Sequence, residues 1–263
     1  MAKKYELTRN SVTVNNRTLY RIRALRDFGS VTAGTLGGYI ETEKNLSHDN
    51  NCWVSGDALV YGDALVYGDA ARVSGNAHVH GNAYVYENAR VYGNAQVYGN
   101  AQVSGSALVY GGAHVFGNAH VYEHALVCGG AHVSGNAHVY GDAWVYRNAH
   151  VYEDALVYGG ARVSGNAHVH GNAWVYRNAH VYEDAQVYED ADVSGDADVS
   201  GKARVYGHAR VYVPIDFDCD FDPHESLKEI LDHKEILPVL LSINSGLDKM
   251  ISEKLKLKME DRL

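Results

Sequence analysis

His114, His132, His150 and His168 recur at every eighteenth position, in a series that begins with His78 and Gln96 and continues with Gln186 and Arg204. If residues at this spacing stack, they form a column of imidazoles that could bind a metal or an anion, or respond to pH as a contact surface. Stacked neighbours about 4.8 Å apart point the same way, whereas a tetrahedral metal needs converging ligands. The column is therefore expected to decorate a strand, with no metal and no cofactor.

Two aromatic series share the spacing. Tyr122, Tyr140, Tyr158 and Tyr176 form one, flanked by His120, His138, Leu156 and Trp174. Leu108, Tyr110, Leu126, Cys128, Trp144 and Tyr146 form a third face. Tyr suits a half-exposed sheet, yet apolar patches of this extent mark contacts with another chain, and contact is the expectation here. The acidic run of Glu183, Asp184, Glu189, Asp190, Asp192, Asp196 and Asp198 opens like a calcium loop at Asp190-x-Asp192-x-Ser194-Gly195. Its twelfth place is Gly201 instead of a bidentate Glu, so a solvated acidic face is expected. No Ser/His/Asp set, phosphate-binding loop or GxGxxG is present.

The elements that must position these residues follow from a strict period. Val recurs at every sixth position from Val73 to Val211, preceded by Val54, Val60 and Val66, with one extra residue around Ala70 and Ala71. The unit is Gly-Asn/Asp-Ala-x-Val-Tyr/Ser. Ala and Val, two apart, face one side of an extended strand and their neighbours the other. The Gly position also holds Glu87, Glu123, Arg147, Glu153, Arg177, Glu183 and Glu189, so the left-handed bend is expected one residue later, at Asn or Asp. A single hexad cannot bury its apolar side, but stacked coils can.

An aliphatic residue every six, with a small residue four later, resembles the hexapeptide repeat of left-handed parallel β-helices, over residues 54 to 213. The resemblance implies three hexads per triangular coil and so an all-β solenoid of about nine coils, roughly 43 Å long. Many such β-helices resemble acyl-CoA-dependent acyltransferases, which use a His base and a loop extruded from a coil. No insertion interrupts the repeat from Val73 to Val211, and a His without a cleft is no general base. Upstream, Asp27-Phe28-Gly29, Ala33-Gly34, Gly37-Gly38-Tyr39 and Asn45-Leu46-Ser47 resemble the leader of uncharacterised bacterial and phage-borne hexapeptide-repeat proteins.

Four regions are predicted. Residues 1–53 form an N-terminal β cap, with a hairpin at Asn15-Asn16, and residues 54–213 the β-helix. Residues 214–222 are an exit strand in which Val213, Ile215, Phe217, Cys219 and Phe221 alternate with Asp. Residues 223–263 are a helical segment, begun by Asp222-Pro223-His224-Glu225, that caps the rod or pairs between chains. A coil end left bare would expose unpaired strand edges, hence the caps.

A net charge of −9 argues against nucleic acid, and no run approaches the roughly 20 apolar residues of a membrane helix. Three separated cysteines and no signal-like N-terminus point to the cytoplasm of a bacterial cell, one infected by phage included. Ser74, Ser104, Ser134, Ser164 and Ser194 fall at every thirtieth position, an advance of one and two-thirds coils, so each copy is turned to another face. That suits a scaffold. The expectation is a non-enzymatic structural or binding protein that forms a homo-oligomer, a trimer first, or binds another protein through its aromatic faces. The alternatives are a phage-borne inhibitor of a host protein or sequesterer of a small ligand, and an atypical acyltransferase.

Overall fold

The computed structural model of the chain describes residues 3–212. Its first elements are β1 (Tyr5–Val14), β2 (Arg17–Ala24) and β3 (Leu36–Ile40). They are followed by twenty-seven two-residue strands, β4 (Trp53–Val54) to β30 (Arg210–Val211). The short strands fall in one twelve-stranded and two nine-stranded sheets, and each pairs in parallel with the strand three places on, as His132–Val133 does with His150–Val151. The fold is a three-sided parallel β-solenoid. Tyr39 and Ile40 pair with Leu59 and Val60, and Leu46 bridges to Val66, so a partial coil precedes the hexads and the rod has about ten turns. The exit strand expected at 214–222 and the helical segment expected at 223–263 lie outside the described residues.

Every interior Ala and Val from Ala71 to Val187 is fully buried, which follows from stacking identical small residues on one another. Backbone bonds run from coil to coil. The N–H groups of Asn136, His138 and Tyr140 donate to the carbonyls of Glu153, Ala155 and Val157 at 2.7, 3.0 and 3.0 Å. Each hexad thereby hands its strand donors to the next coil, and the extra residue at Ala70 is absorbed at a corner, with its N–H on the Glu87 carbonyl.

The corner differs from the expectation. The positive-φ residue is the Gly position itself (Gly75 at 68°, Glu87 at 59°, Arg147 at 62°), not the Asn or Asp that follows. A Cβ at Gly75 would lie 3.0 Å from the Gly93 backbone, which explains the preference for Gly. Glu and Arg are tolerated because each of the seven has Gly at the same corner one coil before and one coil after. The left-handed cost is about 1–3 kcal/mol. The five Glu recover part of it: their carboxylates accept the corner N–H of the next coil, as Gly105 donates to Glu87 (2.6 Å) and Gly141 to Glu123 (2.9 Å). The Asn position builds side-chain ladders instead. Asn82, Asn100, Asn118 and Asn136 each donate to the next amide or carboxylate, ending on Asp154, at 2.8 to 3.0 Å.

At the N-terminus, Asn15 and Asn16 at φ 50° and 61° close a two-residue turn between β1 and β2, the backbone that suits a twisted hairpin. β2 pairs with β3, and β3 with the first coil, so the hairpin continues one sheet past its end. The leader residues fasten it. Gly37 and Gly38 pass so close to the first coil that a Cβ would meet the Val54 and Ala58 carbonyls at 2.6 Å. Phe28 packs edge-on against Trp53, and buried Asn45 donates to the Gly62 and Ala64 carbonyls at 2.9 Å. Lys4 is fully buried, its ammonium donating to the Asp49 and Cys52 carbonyls at 3.2 and 2.9 Å.

Val139 is fully enclosed between Val121 and Val157. Val139→Asp is expected to cost roughly 3–5 kcal/mol, since the charge has no partner there, and to open neighbouring coils in hydrogen exchange. An unchanged urea midpoint would contradict the inward placement.

Candidate aromatic contact faces

Each face of the rod carries two outward columns, one from the residue before each inward Val and one from the residue after it. On the twelve-stranded face the first is the histidine column. His114, His132, His150 and His168 stack with ring centroids 4.9, 4.8 and 4.8 Å apart. The second column on that face was missed by sequence reasoning. Tyr61, His80, Tyr98 and Phe116 stack at 4.8 to 5.1 Å, and Tyr152, His170 and Tyr188 at 4.6 and 5.2 Å. The signal was the same coil period, read on the residues after Val.

The two columns interlock. Tyr98, Phe116 and Tyr152 set their rings edge-on to His114, His132 and His168 at 6.1 to 6.3 Å. Burial, before the charge of neighbouring imidazoles, therefore pushes His114, His150 and His168 below the ordinary histidine value. His114 lies face to face with His132, and His150 with His168, while His132 and His150 are tilted by 43°; among the described residues no group of three His, Cys, Asp or Glu could hold a metal.

One nine-stranded face carries Tyr122, Tyr140, Tyr158 and Tyr176, stacked at 4.8, 4.9 and 4.9 Å with planes within 4°. His120 and His138 stack beside them, and Leu156 and Trp174 follow in register. Burial first, then Tyr140 and Glu123, pushes Tyr122 up to about 12. Trp174 is 47% exposed. Its indole is the largest apolar group this face presents to water.

The third face is less regular. Leu108, Leu126 and Trp144 pair in register, and Arg162 lies 5.2 Å over the Trp144 ring. Tyr110 stacks on Tyr92 at 4.9 Å, and a hydrogen bond with Cys128, then burial, pushes its hydroxyl up to about 12. Tyr146 belongs to the same column but has no ring stacked on it among the described residues. The structure thus aligns the expected contact residues on three separate faces, in columns that do not converge on one centre.

The acidic run is spread over corners and the strands that begin at Asp192 and Asp198. Glu183 and Glu189 accept the Gly201 and Gly207 N–H groups at 2.9 and 2.8 Å, while Asp184, Asp190 and Asp196 accept from Asn166, Asn172 and Asn178. Asp198 faces His180 at 3.4 Å. No helix among the described residues is long and apolar enough to cross a membrane.

The geometry defines a β-helix repeat protein. Residues 83–99 and 95–111 match the family model of the YdcK beta solenoid repeat, to which these coils are similar. No curated protein matches the sequence.

Because His114, His150 and His168 have lowered pKa values in the folded chain, the unfolded chain binds more protons as pH falls through the histidine range, and stability falls with it. The loss should appear between roughly pH 7.5 and 5.5, above carboxylate titration. Replacing His114, His150 and His168 with Gln, the residue at Gln96 and Gln186 in this column, is expected to flatten that slope in thermal melts. An equal slope would show that other groups carry the dependence.

Proposed function

We propose that this protein is a non-enzymatic structural or binding rod that presents its aromatic outer faces to copies of itself, a trimer being the first expectation. The observation that carries this reading is the stack of Tyr122, Tyr140, Tyr158 and Tyr176, bordered by Leu156 and the 47%-exposed Trp174. A flat ladder of rings with planes within 4° is already ordered before any partner arrives, so little side-chain freedom is lost on contact. Tyr and Trp are also the residues on which protein contacts most often depend.

The solenoid favours surface over chemistry. All coils from Val73 to Val211 have two-residue strands and the same short corners, so among the described residues no loop folds over these coils to build a cleft. Another protein reading the same face is compatible with this geometry, and co-purification would reveal it.

The double variant Tyr158→Glu with Trp174→Glu places two charges in the centre of the ladder. It is expected to reduce the mass measured by light scattering from an oligomer to one chain, a loss of affinity of at least about a hundredfold, with the far-UV circular dichroism unchanged. An unaltered mass, or a wild-type protein already of single-chain mass, would overturn the self-association reading.

A further inference from the structure

The duplication period, set by serines at every thirtieth position, does not match the coil period, and the mismatch leaves gaps in the aromatic columns. Ser104, Ser134, Ser164 and Ser194 each take a place where the coils before and after carry Tyr or Phe. On the third face the gap at Ser164 separates Tyr146 from Tyr182. Neither tyrosine has another ring stacked on it among the described residues, unlike Tyr122 to Tyr176. The gap is an open recess of about 230 Å³ lined by Tyr146, Arg147, Arg162, Ser164, His180 and Tyr182, with Ser164 only 5% exposed at its floor.

The dimensions suit one ring. Intact columns space their rings 4.8 to 4.9 Å apart. One absent ring therefore leaves about 9.7 Å between Tyr146 and Tyr182, and a guest midway lies about 4.8 Å from each, within the range of aromatic pairs. A cavity of roughly 150 Å³ admits benzene, so this volume takes a single ring with a substituent.

The charge suits an anion. Arg147 and Arg162 lie over the Tyr146 and Trp144 rings at 6.0 and 5.2 Å, and neither forms an ion pair among the described residues of this acidic chain. Of the neighbouring carboxylates, Asp198 faces His180 at 3.4 Å, and Glu183, next to Tyr182, accepts the Gly201 N–H at 2.9 Å. We propose that the recess over Ser164 binds a small planar aromatic anion, its ring completing the stack between Tyr146 and Tyr182 and its charge meeting Arg147 and Arg162. The site lies on a different face from the Tyr122 to Tyr176 ladder and does not rest on the assembly reading.

The test uses the full chain and para-hydroxybenzoate, followed by saturation-transfer and titration NMR at millimolar ligand. Transfer to the ring is expected, and should weaken severalfold with uncharged para-hydroxybenzamide and with non-aromatic cyclohexanecarboxylate. Ser164→Tyr, which supplies the absent ring, is expected to weaken binding at least about tenfold, and Arg162→Gln severalfold. Ser134→Tyr makes the same change on another face and should leave binding intact, which separates occupancy of the recess from damage to the coil. Ser164→Leu fills the recess without a ring and should act like Ser164→Tyr. Absence of transfer in the wild type, or wild-type binding by both Ser164 variants, would overturn the proposal.

Discussion

The hydrogen bonds between successive coils are the constraint on which the rest of this protein depends. A coil cannot satisfy its own strand donors and acceptors, so each one exists only as part of a stack. His138 and Tyr140 donate to Ala155 and Val157, and the pattern recurs with each further coil. The core must then have one cross-section throughout, which is why it is built from Ala and Val alone along most of the rod. The corners obey the same rule, since a side chain at the positive-φ position meets the backbone one coil on, and every large residue there has Gly in the coils before and after it.

The same translation that builds the core organises the surface. Any outward residue is held about 4.8 Å from its counterparts above and below, so like residues become ladders of Asn, His or Tyr. Ladders stack and share burial, which is what moves the histidine and tyrosine pKa values. They do not converge, and convergence is what a metal site or a catalytic cleft requires. A solenoid without loops can still make recesses in one way, by omitting a large residue from a column. The recurring serines do this and distribute the gaps round the faces.

Much of the architecture was legible in the sequence. Period six on Val, with Ala two before it, assigned the buried side, and residues three hexads apart did form the columns named for them. The corner was not legible. Glu87 and Arg147 at the Gly position suggested that the left-handed bend lay elsewhere, because a one-dimensional pattern cannot show that a corner carboxylate binds an N–H of the next coil. The Tyr61 and Tyr152 stacks were also missed, because their columns mix Tyr, His and Phe and so carry no single repeated letter.

The sequence by itself determined the repeat and the inward and outward sides, because both depend only on the strand and hexad periods along the chain, while the columns followed from the three-hexad coil that the resemblance to hexapeptide β-helices implied. Tertiary structure alone decided how Tyr98, Phe116 and Tyr152 turn edge-on to the histidines, which tyrosine faces stay uncovered at Ser164, and how Lys4 and the leader close the first coil. Those outcomes depend on side-chain directions and on contacts between residues far apart in sequence, and no periodicity encodes them.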